Sequence, residues 1–426
     1  MRKKIIKQKF SKEALASLGQ GDIPAFIGAV NKAIIHDDPE TLAVLGETLY
    51  DSGNLEQAAD IFRSLIKKDP QNSAAKIMLA DIINENGDAD GALNLLAEIP
   101  EDDEKYLAVL MQKADIYQTI GLEEVSESLI DQALQKSPEN RALIFGMAEI
   151  LYSQSRYLEA KEYYQKLLDM GISSYLNQNI RLREANCLTF TGDFEAAAKI
   201  FERFNDVILR DDDLFAKGSV YFELHLPKKA IKPLETLLEK SADYAPAYLV
   251  LAKSYEELDE FDKAYEIAQK GWTIDAFDLR IRLEFAKIAI KLGYLDQAIN
   301  SYQEVLKQDP ENILALDELG LIYLKHNENE AVIDLLAGKE GVDPNLAWIL
   351  GQAYLNKDQL ELAKENLISV FNEFQDQADY LLDLINLFRK LRDVKSQLTM
   401  MQLYLKIRPT DDTIANEFEA LRDEYE

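Results

Sequence analysis

The chain has 426 residues, 47% of them hydrophobic and 29% charged, which is too long for one compact core and suits a modular array. Its formal net charge of −29 repels phosphate backbones, so no nucleic-acid partner is expected. The single cysteine, Cys187, rules out a disulfide within the chain and a CxxC metal site, and it is predicted to be a buried structural thiol.

The chain begins with a basic stretch, MRKKIIKQKF, that resembles the start of a secretion signal. No apolar segment of the needed length follows it, and no run of about 20 apolar residues occurs anywhere. We therefore expect a cytoplasmic protein without stable membrane insertion. The basic residues are predicted to begin an amphipathic helix, with contact to a membrane surface as the alternative, inside an irregular helical unit at 1–38.

The clearest local pattern lies at Leu45–Pro70, LGETLYDSGNLEQAADIFRSLIKKDP. It predicts two short amphipathic helices joined by a tight turn at Asp51–Asn54, because apolar residues recur at helical spacing on both sides of the turn. Asp69-Pro70 ends the second helix, since proline cannot continue a helix and disfavours the α conformation just before itself. Phe285–Asn312 repeats the same text nearly position for position, so one unit is repeated along the chain.

The period of the repeat is close to 34 residues. Turn positions recur at this spacing, at Gly53, Gly87, Gly121, Ser155, Gly192, His225, Asp259 and Gly293. A small residue recurs on the first helix of each unit, at Gly46, Ala80, Ala114, Ala148, Ala185, Gly218, Ala252 and Ala286. Two helices pack closely only where neither side chain intrudes, and a leucine at such a crossing would overpack it by roughly 1–3 kcal/mol.

These recurring residues resemble the tetratricopeptide repeat (TPR), whose first helix carries a Leu-Gly or Leu-Ala pair and a Tyr. The pair stands here at Leu45-Gly46, Leu79-Ala80, Leu251-Ala252, Leu319-Gly320 and Leu350-Gly351. The resemblance covers nearly the whole chain, and it is to TPR proteins of the bacterial cytoplasmic type without additional domains. It implies an all-α fold, a TPR-type α-solenoid in which antiparallel helix pairs form a right-handed superhelix.

Departures from the period divide the array. After the irregular unit at 1–38, we predict a first part of the TPR array at 39–171, a second part at 172–341, C-terminal TPR-like units at 342–409 and a capping helix at 410–426, with about twelve units in all. About three extra residues within 170–178 and the glycine-rich segment 338–341 break the period, which predicts irregular turns or hinges at both places.

No enzyme signature is present. The sequence has no Gly-rich phosphate loop, no HExxH and no GxSxG, and its three histidines, His36, His225 and His326, lie at separate turns or helix ends. The acidic run Asp211–Asp213 is predicted to begin a helix, where acidic side chains stabilise the positive end of the helix dipole, rather than to bind calcium. We therefore expect a non-catalytic protein with no cofactor and no metal.

The resemblance implies that first helices line a concave groove through positions one residue after, three before and four after the small residue. In the first half, the position after the small residue is acidic in four successive units, and an apolar strip runs beside this acidic strip. The predicted partner-binding residues are Glu47, Tyr50, Ile77, Asp81, Met111, Asp115, Phe145, Glu149 and Tyr152.

The second half of the groove has a different charge. Lys253 and Lys287 occupy the position that is acidic in the first half, and Arg280 lies nearby in the sequence. These three residues predict a secondary basic groove patch that could hold an acidic segment.

The sequence is therefore interpreted as a non-catalytic TPR scaffold that binds a segment of a partner protein in its groove, with a basic and apolar segment favoured in the first half. The alternatives are a constitutive assembly or regulatory subunit of a larger complex, and an accessory factor of an enzyme. The acidic strip disfavours the carboxylate clamp by which some TPR domains hold the acidic tails of heat-shock chaperones. The oligomeric state stays open.

Overall fold

Antiparallel helix pairs make up nearly all of the structure. The computed structural model describes residues 9–339, 341 and 343–425, and these form 26 α-helices and one short β-hairpin. The basic residues at 2–7, predicted to lead into a helix, lie outside the described residues. The chain divides into two compact units, Met1–Arg203 and Phe204–Glu426. The predicted all-α fold of TPR-type helix pairs is confirmed.

The described part of the first unit contains twelve helices. They are α1 (Lys9–Gly19), α2 (Ile23–His36), α3 (Pro39–Asp51), α4 (Leu55–Lys68), α5 (Ser73–Glu85), α6 (Ala89–Ala97), α7 (Tyr106–Thr119), α8 (Glu123–Lys136), α9 (Arg141–Ser153), α10 (Tyr157–Asp169), α11 (Ile180–Phe190) and α12 (Phe194–Phe201). Strands β1 (Ser174–Tyr175) and β2 (Gln178–Asn179) stand between α10 and α11.

The described part of the second unit begins with a 3-10 turn at Asp206–Ile208 and continues with fourteen helices. They are α13 (Asp211–Glu223), α14 (Pro227–Lys240), α15 (Ala245–Glu256), α16 (Phe261–Ile274), α17 (Leu279–Lys291), α18 (Leu295–Gln308), α19 (Ile313–Lys325), α20 (Asn329–Leu336), α21 (Pro344–Asn356), α22 (Leu360–Ser369), α23 (Phe371–Phe374), α24 (Ala378–Leu391), α25 (Val394–Ile407) and α26 (Asp412–Tyr425).

Within each unit, consecutive helices pack as pairs, such as α3 with α4 and α24 with α25. The second helix of a pair also packs on the first helix of the next, as α4 does on α5, so that the apolar core continues from pair to pair. Buried aromatic side chains fill the flanks of second helices, as Phe62, Tyr164 and Tyr302 do. Among the described helices, none combines the length and apolar character needed to cross a bilayer.

Small residues lie where the two helices of a pair cross, as the period predicts. Ala80 and Ala148 are fully buried at this position. A Cβ added at Gly46 would lie 2.8 Å from Cζ of Phe62, and one added at Gly218 would lie 2.5 Å from Cγ of Leu234. Some crossings are therefore so close that they require glycine rather than any small residue.

The residues that mark the turns share a left-handed backbone. Gly53, Gly87 and Gly121 have φ of +77°, +88° and +79°. Ser155 and His225 occupy the same position with φ of +61° and +55°, a conformation in which a Cβ crowds the backbone. The predicted turn positions are therefore the points at which the chain reverses, and some of them carry residues that are poorly suited to the turn.

Replacing His225 with glycine is expected to stabilise the second unit by about 0.5–1 kcal/mol, because glycine adopts positive φ without steric cost. The imidazole contributes little, since its contact with Glu257 spans 3.8 Å and the His225 side chain is 87% exposed. Urea unfolding followed by tryptophan fluorescence checks this, because Trp272 and Trp348, the two tryptophans of the chain, both lie in the second unit. A lower urea midpoint for His225→Gly than for wild type would contradict this expectation.

The predicted irregularity at 170–178 takes the form of a β-hairpin. β1 and β2 pair antiparallel, with Ser174 opposite Asn179 and Tyr175 opposite Gln178. Leu176 and Asn177 form the two-residue loop, with φ of +44° and +62°. The hairpin adds a side chain and a loop beside α9 that a regular helix pair would not supply.

Candidate functional site

One hollow of about 550 Å³ lies in the first unit, along the first helices of three successive pairs, α5, α7 and α9. α8 forms part of its floor, and the hairpin forms part of its rim. We call this hollow the groove cavity. It is lined by Ile77, Met78, Asp81, Ala108, Met111, Gln112, Ala114, Asp115, Gln118, Ser126, Ile130, Ala142, Phe145, Gly146, Glu149, Ile150, Tyr175 and Leu176.

Six of the nine predicted partner-binding residues line the groove cavity. On each first helix an apolar residue precedes an acidic residue by four positions, which is about one helical turn, so that both lie on the same face. The repeat places these pairs side by side on neighbouring helices. The three pairs are Ile77 and Asp81, Met111 and Asp115, and Phe145 and Glu149.

Two of the three acids of the cavity hold internal partners. The Tyr50 hydroxyl lies within hydrogen-bond distance of two carboxylates, at 2.6 Å from Oδ2 of Asp81 and 2.8 Å from Oε1 of Glu85, and its one proton is shared between them. Nη2 of Arg183 lies 2.6 Å from Oε2 of Glu149, and this pair joins α11 to α9. Asp81 and Glu149 therefore serve as contacts between repeats as well as lining the cavity.

Asp115, in the centre of the row, has a different environment. No side chain among the described residues pairs with its carboxylate. Burial, and then the neighbouring charge of Asp81, raise the pKa of Asp115 above its ordinary value. Of the three acids, Asp115 is thus the one whose negative charge a bound cation would stabilise most directly.

The apolar wall of the cavity continues onto the hairpin. The Tyr175 ring packs against the Phe145 ring, with 5.0 Å between their centroids and a tilt of 48°. Below this wall, Oε1 of Gln112 and Oγ of Ser126 are buried polar atoms with no hydrogen-bond partner among the described residues. Most other units have alanine at the position of Ser126, so the Ser126 hydroxyl is a local departure from the repeat.

Three predicted partner-binding residues lie outside the lining of the cavity. Tyr50 reaches it only through its hydrogen bond to Asp81. Tyr152 packs edge-on against Tyr157 at 5.3 Å, and the Arg183 guanidinium lies 4.9 Å from the Tyr152 ring centroid. Glu47 is half-buried on α3, one pair before the cavity begins. These three residues do not line the cavity, and Tyr50 is hydrogen-bonded to one of the six that do.

The secondary basic groove patch is balanced by acids in the second unit. Arg280 donates to both carboxylate oxygens of Asp278, at 2.9 and 2.7 Å. Lys287 donates to Oε2 of Glu256 at 2.7 Å and lies 3.5 Å from Oε1 of Glu284. Lys253 is half-buried on α15, close enough to Glu284 to affect the pKa of that carboxyl. Acidic side chains therefore lie close to all three cations and compensate the positive charge of this patch.

Sequence reasoning missed several residues of the site. Arg183 lies off the three groove-facing positions, and only the structure shows that it joins Glu149 and Tyr152. Tyr175 and Leu176 stand in the segment where the period breaks. The break itself was the available signal, because it marks where the chain departs from a regular helix pair.

Two other sequence predictions concern the environment of single groups. Cys187 is fully buried, and burial raises the pKa of its thiol to about 12, as suits a structural residue. Asp211–Asp213 opens α13, where Asp211 accepts a hydrogen bond from Ser241 and Asp212 accepts one from Tyr244. No group of three or more His, Cys, Asp or Glu side chains suited to a metal occurs in the described part of the chain.

Comparison with known families finds tetratricopeptide repeats in four places. Residues 118–172 match the YpiA-like tetratricopeptide repeats, and residues 344–411 match the YpiA-like C-terminal tetratricopeptide repeats. Residues 49–116 and 286–327 match general tetratricopeptide-repeat families.

The chain is also similar to individual proteins. The chain is 27% identical over 418 residues to the TPR repeat-containing protein YpiA of Bacillus subtilis, covering 97% of this chain and 98% of that protein. It is 21% identical to DnaJ homolog subfamily C member 3 of Gallus gallus over 65% of this chain and 53% of that protein, about half its length. Among solved structures, the APC/C hetero-tetramer Cut9-Hcn1 matches 97% of this chain and 95% of the other at 14% identity, with a TM-score of 0.40.

Proposed function

Because the chain is a tetratricopeptide-repeat protein, we propose that it is a non-catalytic cytoplasmic scaffold whose groove cavity binds a segment of a partner protein. The bound segment carries a lysine or arginine next to an apolar side chain. One observation carries this proposal, namely that three successive first helices place an apolar residue and an acid around a single hollow. A hollow of about 550 Å³ is within the size range of ligand sites in proteins.

The charge of the cavity favours a cationic segment. Asp81, Asp115 and Glu149 all line it, and Arg183, on α11, pairs with only one of them. Asp115 has no side-chain partner among the described residues, and its raised pKa reflects the free energy needed to keep a negative charge there. A lysine or arginine of the bound segment, lying next to the Asp115 carboxylate, would offset the desolvation of that charge and its repulsion from Asp81.

The apolar wall supplies the larger part of the affinity. An exposed ion pair contributes about 0–1 kcal/mol, whereas full burial of a leucine- or phenylalanine-sized side chain contributes roughly 1.5–3 kcal/mol. Ile77, Met111 and Phe145 provide this burial in the cavity. The acids then determine which segment binds and how fast it associates.

Replacing Asp115 with asparagine is expected to weaken binding of a Lys-containing or Arg-containing peptide by about fivefold, corresponding to about 1 kcal/mol, the upper end of the range for an ion pair at an exposed carboxylate. An array of short peptides that combine Lys or Arg with Leu, Met or Phe supplies the probes, and fluorescence anisotropy measures Kd for the hits. For wild type, affinity should also fall as the pH is lowered through the raised pKa of Asp115, because the protonated carboxyl no longer pairs with a cation.

Asp90→Asn is the matched control, because it removes the same charge from an exposed position on α6 outside the cavity. It tests whether the effect comes from the cavity or from the net charge of the protein. Hits that are indifferent to salt concentration and to Asp115→Asn, or an array whose hits are all acidic, would exclude the proposed ligand class.

A further inference from the structure

The tip of the β1–β2 hairpin combines two features that disfavour a leucine. Leu176 has φ of +44°, within a two-residue hairpin loop whose residues both have positive φ. Loops of this type favour Asn, Asp and Gly, and a leucine in them is a backbone outlier. Leu176 is also 73% exposed, so burial in the free protein does not compensate for the backbone strain.

The position of the tip connects it to the groove cavity. Leu176 lines the cavity at its rim, and the preceding Tyr175 is anchored on Phe145 at 5.0 Å. The hairpin therefore holds an exposed apolar side chain beside the wall formed by Phe145 and Met111. Strained residues persist where the surrounding structure maintains them, and they cluster at binding sites.

We infer that Leu176 is a partner-contacting residue. It covers the apolar side chain of the bound segment and buries that side chain between the hairpin tip on one side and Phe145 and Met111 on the other. This inference rests on the proposed function and refines it, since the hairpin selects segments whose basic residue is adjacent to a Leu-, Met- or Phe-sized side chain. A segment with alanine at that place would leave Leu176 exposed.

Leu176→Gly separates the backbone strain at this residue from the contact that its side chain makes with the partner, because glycine suits the positive φ and has no side chain. We expect the melting temperature of the first unit to stay the same or rise, by up to about 4 °C. Affinity for the array peptides should fall about tenfold, through loss of the buried leucine contact. Leu176→Met, which keeps an apolar side chain, should bind within about twofold of wild type.

Asn177→Gly is the matched control, because it places glycine at the adjacent positive-φ position and leaves Leu176 in place. It should bind like wild type. Equal affinities for Leu176→Gly and Asn177→Gly would overturn the inference, and so would a fall in melting temperature for Leu176→Gly, which would make Leu176 a residue that stabilises the hairpin.

The same measurements separate this inference from the function on which it rests. If Asp115→Asn weakens binding while Leu176→Gly does not, the groove cavity remains the binding site and the role of the hairpin is excluded. If peptide binding is indifferent to both substitutions, the proposed function fails together with this inference.

Discussion

Glu284→Gln is expected to stabilise the second unit at pH 8 by about 3 kcal/mol and to leave its stability nearly unchanged near pH 4.5. Glu284 is only 6% exposed. Burial, and then a hydrogen bond and a repulsive charge from Glu256, raise the pKa of Glu284 from 4.5 to about 7. A pKa change of this size corresponds to about 3 kcal/mol at pH values where the group is ionised in both folded and unfolded chains.

The direction of the pH dependence follows from which state binds more protons. Between pH 4.5 and about 7 the folded chain keeps a proton on Glu284 that the unfolded chain releases. The stability that Glu284 contributes is therefore fully present below pH 4.5 and is lost as the pH rises to about 7. The charged groups around Glu284 are Glu256 and Lys253 from α15 and Lys287 from its own helix, and Tyr302 from α18 also faces it. Glutamine keeps a hydrogen-bond donor for Glu256 and has no charge to bury.

Tryptophan fluorescence during urea unfolding at pH 5 and pH 8 measures this effect. Both tryptophans lie in the second unit, and the Trp272 ring is 6.1 Å from Phe285, the neighbour of Glu284. Glu266→Gln is the control, because Glu266 is an exposed carboxylate on α16. A Glu284→Gln chain whose stability changes with pH as steeply as wild type would show that Glu284 does not carry the extra proton.

Gly46→Ala is expected to destabilise the first unit by about 1–3 kcal/mol, the usual cost of overpacking a core. Alanine normally stabilises a helix by about 0.5–1 kcal/mol relative to glycine, so the predicted sign is the reverse of the intrinsic preference. The reason is steric, since the new Cβ would lie 2.8 Å from Cζ of Phe62 and 3.2 Å from Cγ2 of Ile61. Phe62 is 2% exposed and Ile61 is fully buried, so neither side chain has space to move.

Gly28→Ala is expected to change stability in the opposite direction within the same unit. Gly28 lies inside α2, and an added Cβ would meet nothing within 4 Å, so the usual stabilisation of about 0.5–1 kcal/mol is expected. Hydrogen exchange of the amides in α3 and α4 for Gly46→Ala, and in α2 for Gly28→Ala, measures both effects locally. If Gly46→Ala slows exchange as Gly28→Ala does, close packing at the crossing is not what requires glycine there.

Much of the candidate site could be predicted because the repeat converts sequence position into spatial position. Met111 and Asp115 share a helical face because they are four residues apart. An apolar residue and an acid with the same spacing recur 34 residues earlier and 34 residues later. That periodicity placed six side chains around the groove cavity without any knowledge of the packing. Glu47 and Tyr152 obey the same spacing, but they lie outside the cavity, whose extent depends on neighbouring helices and on the hairpin.

The charges of the site could not be predicted in the same way. Glu149 has the same sequence signature as Asp115, yet Arg183 pairs with it at 2.6 Å, and the Asp115 carboxylate has no such partner in the described part of the chain. Lys287 likewise belongs to a predicted basic patch, yet Glu256 accepts its hydrogen bond. Ion pairs of this kind join neighbouring repeats and depend on side-chain rotamers, which the period of small and apolar residues does not specify.

The amino-acid sequence by itself determined the all-α repeat of helix pairs, its turn positions and the faces of its first helices. These follow from local rules, since helical spacing, small residues at crossings and turn residues act within a few tens of residues. Only the tertiary structure decided which acids remain without a partner, that 174–179 forms a hairpin beside the groove, and that Glu284 is held against Glu256 in the second unit. Those features depend on contacts between different repeats, where distances of a few ångströms decide whether a charge is paired, repelled or buried.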